Sequence, residues 1–148
     1  MLWKRLLTVF ATLFGLLASS GPGWLQAAET PPTLIFIMDA SGSMGGRLED
    51  KVKIDTVREV MSQLLAELPA ELNVGLVAYG HRRKGDCSDI ENLVPAEAGG
   101  AAKTAEAVND LLPRGKTPLA AALAQIGDYR RQQDGGVTVV LVSDGAET

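Results

Sequence analysis

Twice in this chain an uncharged run of branched and apolar residues ends in an aspartate. Thr33 to Met38 leads into Asp39-Ala40-Ser41-Gly42-Ser43-Met44-Gly45, and Val137 to Val142 leads into Ser143-Asp144-Gly145. The first run is too short for a membrane span and too uniformly apolar for a strand with one wet face. It predicts a central strand covered on both sides. Its carboxylate falls just past the strand, where backbone donors and solvent are within reach. Inside the strand the same group would carry a large desolvation cost. Ser41 and Ser43 place two hydroxyls near Asp39, and Gly42, Gly45 and Gly46 let the chain turn tightly around whatever sits among them. These are the donors of a hard-cation site, although alone they would also suit a capped turn at a strand end.

The stretches between the two runs alternate in period. Glu49 to Leu68 carries a helical stripe of Ile54, Val57, Met61, Leu64, Leu65 and Leu68, with most charges off it, and stops before Pro69. Asn73 to Tyr79 predicts a second buried strand. Gly80 to Cys87 is a basic loop containing His81, Arg82, Arg83 and Lys84, either a solvated connection or a rim contact for an acidic partner. Asp89 to Val94 predicts a short edge strand, and Thr104 to Leu112 a short helix ended by Pro113. Arg114 to Pro118 forms a turn whose Thr117 is placed to cap a last helix reaching Arg131, with Pro118 in its first position. Gln132 to Gly136 turns the chain into the second apolar run, predicted to be an interior parallel strand.

Alternating strands and helices predict an α/β fold: an open, mostly parallel, doubly wound sheet with helices on both faces. Ligands of such sheets sit beyond the carboxyl ends of the strands. Asp39 and Asp144 both fall there. The chain has 148 residues, enough for one domain with a real core. An interior strand needs neighbours on both sides, and nothing follows Val137 to Val142 to supply one. The expectation is an N-terminal portion of a longer protein, incomplete at the C-terminus.

Residues 1–28 read as a secretory signal: Lys4 and Arg5, an apolar segment from Leu6 to Ala18, a polar break, then Ala27 and Ala28. The cleavage box is imperfect, so the alternative is an uncleaved N-terminal anchor. Residues 29–32 form a linker, and residues 33–148 the domain. With Lys4 and Arg5 removed, the body holds 12 Lys and Arg against 18 Asp and Glu. That acidic balance argues against nucleic acid as the main partner and is compatible with divalent cations. One cysteine, Cys87, and one histidine, His81, cannot make a structural zinc cluster.

Three loops therefore supply hard oxygen donors: Asp39, Ser41 and Ser43 from the first, Thr117 from the second and Asp144 from the third. Carboxylates, hydroxyls and water suit magnesium, or alternatively manganese or calcium, better than softer metals. Asp39-Ala40-Ser41-Gly42-Ser43, with Thr117 in Gly-Lys-Thr-Pro and Asp144 in Ser-Asp-Gly, resembles the von Willebrand factor type A (vWA) domain and its metal-ion-dependent adhesion site, from about Thr33 onward. The resemblance implies that Ser41, Ser43 and Thr117 contact the ion directly, and that Asp39 and Asp144 act directly or through water. It implies a remaining coordination position for a carboxylate of a partner protein. It also implies that the chain holds the first two thirds of the fold, and that a cysteine after the Ser-Asp-Gly loop, as in bacterial exported relatives, pairs with Cys87.

The resulting expectation is a metal-dependent protein-binding module, periplasmic or secreted, that captures an Asp or Glu of its partner. An assembly or regulatory subunit docking a larger machine is the alternative. A metal-dependent hydrolase is the third reading, but no nucleophile with a base is visible. Ser43 does not lie in a Gly-x-Ser-x-Gly elbow, because Ser41 stands where the first glycine belongs.

Overall fold

The structure is a computed structural model, and it describes residues 31–131 and 135–145. The predicted signal segment, the start of the linker and the last residues after Gly145 lie outside the described residues. The sheet is built from β1 (Thr33–Asp39), β4 (Asn73–Tyr79), β5 (Ile90–Ala98) and β6 (Val137–Val142), in the order β5-β4-β1-β6. β1 pairs parallel with both β4 and β6, and β4 pairs antiparallel with β5. Three helices complete the unit: α1 (Lys53–Glu67), α2 (Gly100–Asp110) and α3 (Leu119–Arg131). This is the mostly parallel α/β architecture expected.

The two-residue period of β1 decides which helix covers which face. Phe36 and Met38 join Val74 and Leu76 of β4 under Met61 and Leu65 of α1 and Val108 of α2. Ile35 and Ile37 point the other way and pack with Val77 and Tyr79 against Ala122 and Ile126 of α3. At about 1.5–3 kcal/mol for each fully buried large apolar side chain, these two layers hold the sheet between its helices. No described helix is long and apolar enough to cross a membrane.

Three local expectations need correction. Residues 49–52 are not helical: β2 (Arg47–Leu48) and β3 (Lys51–Val52) make a small hairpin, with Glu49 at its turn in a left-handed conformation (φ 54°). The Lys53 N–H then donates to the Gly46 carbonyl at 2.9 Å, which sets where α1 begins. β5 extends to Ala98 through Pro95, which an edge strand tolerates because one row of its backbone groups faces away from the ladder. α2 begins at Gly100, not Thr104, because Gly99 adopts φ 75° and Gly100 lets the helix meet β4. A Cβ on Gly100 would lie 2.0 Å from the Val74 carbonyl oxygen. Val137–Val142 is parallel as expected, and among the described residues its far side has no partner strand, as the sequence also implied, with Val139 and Leu141 36% and 40% exposed.

Candidate metal centre

Backbone hydrogen bonds gather the loops beyond the carboxyl ends of β1 and β4. The Ala40 N–H donates to the Tyr79 carbonyl at 2.9 Å. The Arg114 N–H lies 3.1 Å from the carbonyls of both Ala40 and Gly80, and the Gly115 N–H donates to Gly80 at 2.7 Å. The Gly42 N–H returns a bond to the Gly115 carbonyl at 3.0 Å. The turn that carries Thr117 is thus stitched to the end of each strand. Only glycine fits two of these positions. A Cβ on Gly80, whose φ is +71°, would sit 2.5 Å from the Lys116 carbonyl, and one on Gly115 would sit 2.8 Å from that of Arg83.

Within this frame the predicted oxygens meet. Asp39 is fully buried; its Oδ1 accepts the Ser41 N–H at 2.8 Å and its Oδ2 the Ser143 hydroxyl at 2.9 Å. The Ser41 and Ser43 hydroxyls lie 3.0 Å apart, and Ser43 donates to Asp144 Oδ1 at 2.9 Å. Asp39, Ser41, Ser43 and Asp144 therefore form one connected cluster. Thr117, 4% exposed, lines the same depression as Ser41 and Ser43. Gly42, Gly115 and the exposed Lys84, Arg114 and Lys116 complete its wall.

Charge is balanced differently at the two carboxylates. Asp39 meets neutral donors. Asp144 Oδ2 accepts a 2.5 Å bond from Lys53 Nζ at the start of α1. Burial by itself raises the Asp144 pKa, but the Lys53 ammonium and the Ser43 hydroxyl outweigh it and hold the group below the usual carboxylate range. Near them the buried Tyr79 hydroxyl lies beside Ser143 and Asp39. Its burial, with the charges of Asp39 and Asp144, raises its pKa and keeps the phenol protonated.

Sequence reasoning missed Lys53, Ser143 and Asp89 as parts of this region. Lys53 is one of several charges off the helical stripe, and Ser143 differs from other loop serines only in standing beside Asp144. Asp89 has no sequence signal beyond its place at the start of a predicted edge strand, yet its side chain is fully buried. It accepts the N–H groups of Arg82 and Arg83, each at 2.8 Å, and Arg82 Nε at 2.7 Å. Burial pushes its pKa up, but these donors together pull it below the ordinary value. Asp89 thereby clamps the base of the 80–89 loop.

No group of three or more His, Cys, Asp or Glu side chains placed to hold an ion occurs among the described residues. The candidate set here is of another kind, two carboxylates with three hydroxyls. That donor chemistry fits a hard dication.

A mostly parallel sheet flanked by helices, with a carboxylate-and-hydroxyl cluster beyond its strand ends, defines the class as an α/β domain. The model of the von Willebrand factor type A domain matches residues 34–147, and the chain belongs to that family. YwmC of Bacillus subtilis is 28% identical over 130 residues, covering 82% of this chain and 57% of YwmC. The chain thus spans little more than half the length of that relative. Among solved structures, the vWF domain of the type V pili tip protein Mfa5 from Porphyromonas gingivalis has a TM-score of 0.61 at 17% identity, covering 80% of this chain and 39% of that one. The pilus adhesin SpaC from Lactobacillus rhamnosus GG has a TM-score of 0.62 at 21% identity, covering 83% of this chain and 16% of SpaC. At these identities the two structures speak to the fold alone.

Proposed function

We propose that this domain is a docking module of an exported assembly subunit, and that it grips an acidic residue of its partner through a divalent cation held by Asp39, Ser41, Ser43, Thr117 and Asp144. The observation that carries the reading is the hydrogen-bonded cluster of Asp39, Ser41, Ser43 and Asp144, with Thr117 in the same depression. Magnesium suits these donors, with manganese or calcium as alternatives. The bound ion would supply a Lewis-acidic position for a partner's Asp or Glu carboxylate. Asp39, fixed by Ser41 N–H and Ser143, would hold the ion at the end of β1, while the hydroxyls would set its geometry without cancelling its charge.

The assembly reading is favoured over free-standing capture because Mfa5 is a pilus tip protein and SpaC a pilus adhesin. A periplasmic or surface setting, with residues 1–28 as signal or anchor, agrees with it. Among the described residues no hydrogen bond pairs Ser41 or Ser43 with a histidine base. The serine hydroxyls are engaged with each other and with Asp144, and His81 Nε2 is spent on Glu91 at 3.0 Å.

Calorimetric titration with magnesium tests this reading. Wild type should give a saturable heat that Asp39→Asn, checked for fold by circular dichroism, loses. An Asp39→Asn variant that binds magnesium as wild type does would overturn it.

A further inference from the structure

The wall of the depression is more positive than a single carboxylate requires. Most described Lys and Arg side chains sit beside a carboxylate, as Lys51 does beside Glu59, Lys53 beside Asp144 and Arg82 beside Asp89. Lys84, Arg114 and Lys116 form no ion pair among the described residues. All three are exposed and line one depression of about 320 Å³ together with Ser41, Ser43 and Thr117. They gather there on a chain whose net charge is −4.

Their placement is built into the backbone. Lys84 rides on the loop clamped by Asp89, while Arg114 and Lys116 flank Gly115, which is bonded to Gly42 and Gly80. Asp39 and Asp144 offset the charge of the dication itself, but three rim cations that are unpaired among the described residues still favour a ligand that brings several negative charges. One carboxylate on the ion would leave the rim uncompensated. We propose that the ligand is a run of consecutive acidic residues on a partner protein, one carboxylate reaching the ion and its neighbours meeting Lys84, Arg114 and Lys116. This inference rests on the metal-dependent reading above and adds the chemical class of the ligand.

The test is titration of the protein, with and without magnesium, by two synthetic peptides of equal length. One has a single glutamate among glycine and serine; the other has a run of consecutive glutamates. With magnesium present, the acidic run should bind about tenfold more tightly at low salt, the expected sum of a few exposed ion pairs. The advantage should shrink as salt is added. The double variant Lys84→Ala/Lys116→Ala should lose the advantage while its magnesium binding is retained or slightly tightened. Equal binding of the two peptides, or a preference that survives in the double variant, overturns the proposal. Magnesium heat without a peptide preference removes the rim and leaves the ion site standing. A preference that depends on Lys84 and Lys116 but needs no magnesium keeps the rim and removes the ion.

Discussion

β1 and β6 are written in the same local code, an apolar run ending in a carboxylate, and they end in different environments. Phe36, Ile37 and Met38 of β1 are fully buried, while Val139 and Leu141 of β6 are more than a third exposed. β1 has a strand on each side and helices on both faces; β6, among the described residues, pairs only with β1. The aspartates follow their strands. Asp39 is sealed among neutral donors, while Asp144, its side chain 14% exposed, is balanced by the charge of Lys53. An apolar run specifies extended backbone, but its neighbours set the burial of the strand and the medium around the carboxylate at its end.

The contrast breaks most visibly in stability. Phe36→Ala should cost about 3–5 kcal/mol in urea denaturation, since it empties a sealed layer between β1 and α1. Val139→Ala should cost less than about 1 kcal/mol. Similar losses for the two would mean that β6 is as enclosed as β1.

The buried clamp on the β4 side comes next. Asp89→Asn should cost about 2–3 kcal/mol, the value of charge-assisted bonds at a buried carboxylate, reduced because the Arg82 side chain is 40% exposed. Because the folded-state pKa of Asp89 is depressed, its stabilisation is complete above the unfolded value of about 4 and is lost as pH falls through the lower folded one. Wild type should therefore lose more stability than Asp89→Asn on acidification below about pH 4, as followed by thermal melts. Parallel acid profiles for the two proteins would contradict the clamp.

The smallest effect belongs to the exposed side. Lys53→Ala removes the internal cation from Asp144 Oδ2, so magnesium should bind roughly threefold more tightly in calorimetry. Weaker binding instead would show that Lys53 positions Asp144 rather than competing for it.

Much of the candidate site's geometry was legible because its oxygen atoms lie at the ends of apolar runs or in a Gly-Lys-Thr-Pro turn, positions that the sequence pattern locates. The central strand was legible too, since its apolar run is unbroken, and the structure carries it one residue further, to Asp39. The hairpin at residues 47–52 was not, because a left-handed Glu49 has no local signature. The reach of β5 through Pro95 was hidden for a different reason: its partner, β4, is supplied from elsewhere in the chain. Asp89 looked like a surface charge, and only the fold turned two backbone amides and a guanidinium onto it.

The sequence by itself determined the alternation of strand and helix, the α/β class and which residues are candidate oxygen donors, because these depend on residue period and side-chain chemistry within a few positions. Only the tertiary structure decided that Lys53 would face Asp144, that Ser143 would close on Asp39, and that Lys84, Arg114 and Lys116 would share one wall. Each of those contacts joins residues far apart in the chain. Their energies depend on distance and burial in three dimensions, which no local pattern encodes.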